Sequence, residues 1–221
     1  MSIVNYVKTK NYVGRKNDEV LLLENCGWIE VVNLSALFGF TGRFGVRRMK
    51  RLQEGSYAGI DTHKWKSFKK ILSHIGYESD WIVVDPFARN CPLGGEWSND
   101  IRPDTSAHHH LDAIEFLRIV PSTIADLVIF DPPFSQSQAE RRYDGEGVNL
   151  YAEPGIISGL MSHVHRILKS GGRVLKFGYN SSKHWPQLEL EYIWLINFGG
   201  NRNDVIVSLW RQTQTTLGEW V

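Results

Sequence analysis

The residues best suited to chemistry form the string Asp131-Pro132-Pro133-Phe134, which directly follows a run of apolar residues at 127–130. Such a run predicts a buried strand, and ligands of open α/β sheets bind where the strands end. The two prolines fix the backbone and remove two N–H donors, whereas their carbonyls and the Asp131 carboxylate still accept hydrogen bonds. Phe134 adds a flat ring. Unless it is a simple Asp-Pro turn, the string is suited to hold a planar group with an exocyclic amine and to aim the nitrogen lone pair at an electrophile.

Three further acidic residues lie at predicted strand ends upstream. Asp85 begins the string Asp85-Pro86-Phe87-Ala88-Arg89-Asn90, Asp100 follows residues 96–99, and Asp112 precedes a predicted helix. A carboxylate at the tip of the second strand is placed to accept from two ribose hydroxyls. Asp112 could accept from the exocyclic amine of an adenine ring. Asp100 and Asp112 could each cap a helix instead, but together with the two Asp-Pro strand ends they predict a nucleoside pocket.

These motifs resemble those of S-adenosylmethionine-dependent amino-methyltransferases of DNA, and more closely those of small phage- and prophage-type adenine-N6 methyltransferases. The Asp-Pro-Pro-Phe motif is specific for amino-group methylation, and the other motifs support it by their order and spacing. The sequence departs from the usual pattern at residues 91–95, where a glycine-rich turn and a full helix are reduced to a turn. The resemblance covers about residues 61–211, and the matching segments are 85–90, 99–103, 110–113, 131–135 and 177–180.

The resemblance implies an α/β fold of the Rossmann-like methyltransferase type, with a mostly parallel sheet and an antiparallel C-terminal hairpin. It implies S-adenosylmethionine as the cofactor and methyl transfer to adenine N6 of DNA, for which the base must be flipped out of the duplex. Three alternatives remain open. The substrate could be an RNA base or a protein amide, or the chain could be a catalytically silent DNA-binding protein on a methyltransferase scaffold.

The resemblance also assigns roles to individual residues. Asp85 and Phe87 are expected at the methionine end of the cofactor, Asp100 at its ribose and Asp112 at its adenine. The predicted cofactor-binding residues are Asp85, Pro86, Phe87, Asn90, Asp100 and Asp112. The predicted catalytic residues, which would hold the target base, are Asp131, Pro132, Pro133 and Phe134.

The composition excludes several classes of protein. The chain has 221 residues, of which 42% are apolar and 22% charged, so it can bury a core and is neither a disordered tail nor collagen-like. No apolar run approaches the ~20 residues that span a bilayer, and the N-terminus lacks a signal-peptide layout. Two cysteines, Cys26 and Cys91, indicate a reducing compartment, so we expect a cytoplasmic protein. The resemblance implies that the cell is a bacterial host or a phage-infected cell. The histidines at 108–110 lack partners at ligand spacing, so no metal site is expected.

The sequence pattern changes after about residue 60, where predicted helices and strands begin to alternate. We therefore predict a small N-terminal module over residues 1–60 and a methyltransferase domain over residues 61–221. In the module we expect two strands, at 19–24 and 27–32, and two helices, at 36–38 and 46–52. In the domain we expect helices at 63–75, 114–120 and 154–168. The expected strands of the domain are 81–85, 96–99, 127–131 and 173–178, followed by a hairpin of 188–198 and 204–211.

Basic residues concentrate in one part of a chain whose net charge is only +1. Residues 42–70 contain nine basic and two acidic side chains, which suits a face that contacts phosphates. The helix expected at 46–52 would then belong to an element like a helix-turn-helix, or else present an ordinary solvated face. The polar loop at 135–149 is expected to close over the substrate, unless it is a plain surface connection. The predicted nucleic-acid-binding residues are Arg47, Arg48, Arg51, Lys64, Arg141 and Arg142.

Overall fold

A computed structural model of the chain describes residues 20–24, 31–33, 49–54, 61–133, 155–178, 185, 187–198 and 203–213. The strands within these ranges are β1 (Val20–Glu24), β2 (Val31–Asn33), β3 (Met49–Gln53), β4 (Val83–Val84), β5 (Ala125–Phe130), β6 (Leu168–Gly178), β7 (Leu188–Asn197) and β8 (Val205–Gln212). The helices are α1 (Lys66–His74), α2 (Ala113–Ile119) and α3 (Ile156–Ile167), and two short 3-10 helices span Thr62–Lys64 and Pro92–Trp97.

The eight strands form one sheet in the order β2-β1-β3-β7-β8-β6-β5-β4. The pairs β1–β3, β3–β7, β4–β5 and β5–β6 are parallel. β8 runs antiparallel to both of its neighbours, β6 and β7, and forms the C-terminal hairpin with β7. The fold is therefore α/β and Rossmann-like, and the predicted mostly parallel sheet with an antiparallel hairpin is confirmed.

Each face of the sheet is covered by helices. On one face α1 buries Phe68 and Ile71 against Leu127 of β5. On the other face α2 and α3 cover the sheet, and they bury Phe116 and Leu160 in a second core. Residues 127–130 of β5 form a continuous apolar run, as expected of a parallel strand that is buried on both sides. In the described part of the chain, none of the helices is long and apolar enough to cross a membrane.

The elements from α1 onward lie where the sequence predicts them, with shifts of a few residues at their ends. The exception is the strand expected at 96–99. Residues 92–97 form a 3-10 helix, and only Ser98 and Asn99 make strand-like bridges, to Asp85 and His109. The predicted shortening of the helix after the first strand of the domain is confirmed, because this 3-10 helix stands in its place.

The helix predicted at 46–52 is wrong, because Met49–Gln53 forms strand β3 and pairs with β7 over five residues. Leu52 is buried while Arg51 and Gln53 are exposed, which is the alternation of a strand. An unpaired edge of β7 would leave a row of N–H and C=O groups without partners, and β3 pairs with them. The two strands predicted in the module are present as β1 and β2, and the helix predicted at 36–38 lies outside the described residues. The domain boundary at residue 60 stays a prediction.

Candidate functional site

Parallel strand ends bring the predicted acidic residues to one edge of the sheet. β4 and β5 pair Val84 with Val128, and Asp85 and Asp131 come directly after these two strands. On the outer side of β4, Asp85 bridges to Ser98, so that Asp100 follows the next strand-like segment. The carboxyl ends of adjacent parallel strands lie together, and this edge is where such sheets bind ligands.

Asp85 is only 2% exposed and shapes the turn after β4. Its Oδ1 accepts a hydrogen bond of 3.1 Å from the backbone N–H of Phe87. Burial raises the pKa of Asp85 well above its usual range, although the Phe87 N–H opposes this, and the charges of Asp131 and Asp100 raise it further. These effects indicate that the carboxyl groups of Asp100 and Asp131 lie near the buried Asp85.

Gly94 allows the 3-10 helix to pack closely on this turn. A Cβ atom at Gly94 would lie 3.0 Å from Cβ of Ser98 and 3.4 Å from Cβ of Asp85. Gly95 adopts a left-handed φ of 48°, which favours glycine. The shortened loop therefore keeps the close approach of backbone that a glycine-rich turn provides.

Asp100 has an unsatisfied acceptor inside the site. Its side chain is almost fully buried, with 1% of the residue exposed. Oδ1 accepts a hydrogen bond of 3.0 Å from the backbone N–H of Arg102, whereas Oδ2 is buried and has no hydrogen-bond partner among the described residues. Burial raises the pKa of Asp100, and the Arg102 N–H and the charge of Arg89 oppose this shift. A buried carboxylate oxygen without a donor is costly, so it points to a ligand that donates hydrogen bonds.

Asn99 connects three strand ends, a role that the sequence analysis missed. Its Nδ2 donates to the carbonyl oxygens of Pro86 at 3.2 Å and of Leu111 at 3.0 Å. Its Oδ1 accepts from the backbone N–H of Leu111 at 3.0 Å. An asparagine beside Asp100 was the available signal, but its partners are 12 and 13 residues away and could not be read from spacing.

Asp112 and Asn90 both have structural roles at the rim of the site. Asp112 is the N-cap of α2, and its Oδ1 accepts from the backbone N–H of Ile114 at 2.8 Å. Oδ1 of Asn90 accepts from the backbone N–H of Ser106 at 3.1 Å. The cap alternative foreseen for Asp112 is therefore realised, while its contact with a cofactor stays a prediction.

Two contacts position the segment Asp131-Pro132-Pro133, one from Thr62 and one between the aromatic rings of Phe130 and Phe87. Asp131 is half-buried, and Pro132 and Pro133 are buried. The hydroxyl of Thr62 donates a hydrogen bond of 2.5 Å to Oδ2 of Asp131. Below the string, the ring of Phe130 contacts Phe87 edge-on, with 5.6 Å between the ring centroids. Phe134 lies outside the described residues.

Two basic residues near the site were not assigned from the sequence. Arg89 has a left-handed φ of 50°, which is uncommon for a residue with a side chain, and its Nε lies 3.9 Å from Oδ1 of Asp61. Lys176 is in register with Phe130 and is 8% exposed. Its Nζ lies 5.8 Å from the ring centroid of Trp185, and burial lowers the pKa of Lys176 to about 8.

The predicted phosphate contacts are placed only in part. Lys64 is exposed, but its Nζ forms an ion pair of 2.7 Å with Asp61. Arg51 is exposed on β3. The remaining predicted contacts lie outside the described residues, and these are Arg47, Arg48, Arg141 and Arg142.

The described residues offer no alternative centre of metal or thiol chemistry. Among them, no three His, Cys, Asp or Glu side chains are grouped so that they could hold a metal ion. Burial raises the pKa of the Cys91 thiol, and the neighbouring charge of Asp85 acts in the same direction. A thiol with a raised pKa is a poor nucleophile.

No family model matches this sequence, and no curated protein matches it. Among solved structures, a proposed methyltransferase, yhhF from Escherichia coli, is similar over 67% of this chain and 86% of its own, with 12% sequence identity and a TM-score of 0.45. The N-methyltransferase NodS from Bradyrhizobium japonicum WM9 is similar over 52% of this chain and 72% of its own, with 11% identity and a TM-score of 0.37. The similarity concerns the fold.

Proposed function

We propose that this protein is an S-adenosylmethionine-dependent methyltransferase that acts on the exocyclic N6 amine of adenine in DNA. The observation that carries the proposal is the pair Asp100 and Asp131, which lie at the carboxyl ends of neighbouring strands of one mostly parallel sheet. One of these carboxylates is buried with an oxygen that lacks a donor, and the other begins a rigid Asp-Pro-Pro string. A ligand with hydroxyl donors and a substrate with an amine donor would satisfy this arrangement.

The residues present fit the cofactor. Oδ2 of Asp100 could accept from the hydroxyls of a ribose, and the half-buried Phe87 could line the methionine end beside the Asp85 turn. When bound, S-adenosylmethionine supplies an electrophilic methyl group. Around it, Asp85 and Asn99 keep the strand ends in place through the hydrogen bonds described above, and the buried surroundings exclude water.

At the other half of the site, Asp131 and the prolines would act on the target amine. Prolines donate no backbone hydrogen bond, so the edge of the string offers acceptors only. An amine N–H donated to the Asp131 carboxylate turns the nitrogen lone pair out of conjugation with the ring and toward the methyl donor. The amine loses its proton after attack, so no strong base is required at the start. A preorganised acceptor of this kind acts mainly by orientation and electrostatics.

A nucleic-acid substrate is supported by charge. Lys66, Lys69 and Lys70 lie at i, i+3 and i+4 on α1, so they share one face, and all three are exposed. The ion pairs found among the described residues include none of these three lysines. Because α1 begins only a few residues after Thr62, a phosphate backbone on this face would run near Asp131. An adenine in a duplex would have to leave the stack to reach it.

The decisive experiment measures transfer of a tritiated methyl group to DNA, to RNA and to protein by the wild type and by Asp131→Ala. We expect transfer to DNA by the wild type and none by the variant. Calorimetry should give the same affinity for S-adenosylmethionine within a few-fold, because Asp131 is assigned to the target rather than to the cofactor. Asp80→Ala is a matched control, since Asp80 is exposed in the turn before β4.

The outcomes separate the alternatives. Transfer to RNA only, or to protein only, would replace the substrate and keep the chemistry. Near-normal turnover by Asp131→Ala would refute the catalytic assignment. An absence of heat on mixing wild-type protein with S-adenosylmethionine would favour a silent DNA-binding protein, an alternative that the shortened loop at Pro92–Trp97 motivates.

A further inference from the structure

A hydroxyl from a distant part of the chain contacts the carboxylate assigned to the target base. Oγ1 of Thr62 donates to Oδ2 of Asp131 at 2.5 Å, although the two residues are 69 positions apart. Short hydrogen bonds from a hydroxyl to a carboxylate belong to the stronger class in proteins. The contact joins the segment before α1 to the end of β5, and the function proposed above gives it no role.

The structure around Thr62 holds this hydroxyl in place. Within the 3-10 turn, the N–H of Lys64 donates to the carbonyl of Asp61 at 3.0 Å, and the N–H of Trp65 donates to the carbonyl of Thr62 at 3.1 Å. Trp65 is 8% exposed and packs edge-on against Phe198, with 4.9 Å between the ring centroids. The turn is therefore anchored in the core on its C-terminal side.

The helix that follows the turn is fixed by Glu54, which comes directly after β3. The Glu54 carboxylate accepts from the backbone N–H groups of Lys66 at 3.1 Å and of Ser67 at 2.7 Å. On the N-terminal side of the turn, Asp61 faces Arg89 of the loop after β4. The same short segment thus touches both the loop assigned to the cofactor and the carboxylate assigned to the target.

We propose that Thr62 is a positioning residue, which orients the Asp131 carboxylate for the target amine; this inference rests on the proposed function. An aspartate has a broad, roughly two-fold terminal torsion, so its carboxylate needs a partner to select one orientation. No backbone N–H is available from the two prolines that follow Asp131. Thr62 supplies a donor, and its β-branched side chain restricts the first torsion and keeps the hydroxyl directed.

The test compares Thr62→Val, which is close in shape but has no hydroxyl, with Thr62→Ser, which keeps it. We expect Thr62→Val to lower kcat by about 10- to 150-fold, the effect of losing a hydrogen bond to a charged group. The KM for DNA and the Kd for S-adenosylmethionine should stay within a few-fold, because the loss concerns orientation in the transition state. Thr62→Ser should recover most of kcat, and Thr213→Val, at an exposed position after β8, should behave as wild type.

Each outcome decides the question. If the wild type transfers methyl groups and Thr62→Val has an unchanged kcat, the positioning role is refuted and the proposed function stands. If Thr62→Ser loses as much activity as Thr62→Val, the hydroxyl is not what matters and the role is again refuted. If the wild type binds the cofactor but transfers to neither DNA nor RNA, the proposed function and this role fail together. Thermal unfolding accompanies each assay, and Thr62→Ala repeats the test if the valine variant is unfolded.

Discussion

Asp100→Asn should weaken cofactor binding without weakening the fold. The variant keeps the size of the side chain and the oxygen that accepts from the Arg102 N–H. It replaces the other oxygen, which is buried without a partner among the described residues, by an amide NH₂ that cannot accept from ribose hydroxyls. A residue kept only for stability would show the reverse pattern, in which its replacement lowers the free energy of unfolding.

The size of both effects follows from the surroundings of Asp100. Hydrogen bonds to a charged acceptor contribute about 1.5–3 kcal/mol, so the Kd for S-adenosylmethionine should rise by about 10- to 150-fold. Burial raises the pKa of Asp100 above its ordinary value of 3.8. The folded state therefore binds the proton more tightly than the unfolded state, and the carboxyl group destabilises the fold progressively as the pH rises from about 4 through the raised pKa. Asn does not titrate, so the stability of the variant relative to wild type should improve over that range.

Two measurements check the prediction. Calorimetry with S-adenosylmethionine gives the Kd, and urea unfolding at a series of pH values gives the free energy of unfolding. Asp104→Asn is a suitable control, because Asp104 is exposed in the same loop and its carboxylate pairs with the guanidinium of Arg102 at 2.6 Å. An unchanged Kd for Asp100→Asn would remove this residue from the cofactor site. A fall in stability at neutral pH would show that the charged carboxylate supports the fold, against the reasoning above.

Three further predictions concern the elements that position the site. Glu54→Gln should cost about 1 kcal/mol in urea unfolding at neutral pH, because it weakens the cap of α1. Burial raises the pKa of Glu54, but the hydrogen bonds from Ser67 and Lys66 outweigh this effect, so the net pKa is lowered from 4.5. The wild type should therefore lose this stability as the pH falls below about 4, whereas the variant, which does not titrate, should not. Gly94→Ala should lower the free energy of unfolding by about 1–3 kcal/mol and weaken cofactor binding, because its Cβ would lie too close to Ser98 and Asp85. Urea unfolding would measure the first effect, and calorimetry the second. Neutralising Lys66, Lys69 and Lys70 of α1 should weaken DNA binding on every sequence. It should also lower the slope of log binding constant against log salt concentration by about 0.9 for each phosphate that the protein no longer neutralises. An unaltered slope in a filter-binding titration would show that this face is only solvated.

The fold from α1 onward could be predicted because its signals are local. The apolar run of β5 and the helical spacing in α1 each depend on a few neighbouring residues. β3 could not be predicted in this way. Its local sequence is rich in basic residues, which favours a solvated helix. The segment forms a strand because it pairs with the edge of β7, which lies more than a hundred residues away in the sequence.

The residues of the candidate site likewise fall into those that local sequence predicts and those that it does not. The acidic residues at the strand ends could be found, because each strand and the acid after it are contiguous in the sequence, and Asp85, Asp100 and Asp131 do lie at one edge. Asn99, Arg89 and Thr62 could not be assigned, since their importance depends on partners that only the folded chain brings near. A threonine among ordinary turn residues carries no signal for a contact with Asp131.

Because Met49–Gln53 forms strand β3 and not a helix, a nucleic acid would bind elsewhere than on this segment. In a strand, Lys50 and Arg51 point to opposite faces of the sheet, so these two basic residues do not share one surface. The lysines of α1 remain together on one face, and α1 is held at its start by Glu54 and preceded by Thr62. A phosphate backbone bound along α1 would therefore lie next to the turn whose Thr62 orients Asp131. On the proposed function, binding of DNA and alignment of the catalytic carboxylate are coupled through this one helix, and loss of the Thr62 hydroxyl should reduce turnover more than it reduces DNA affinity.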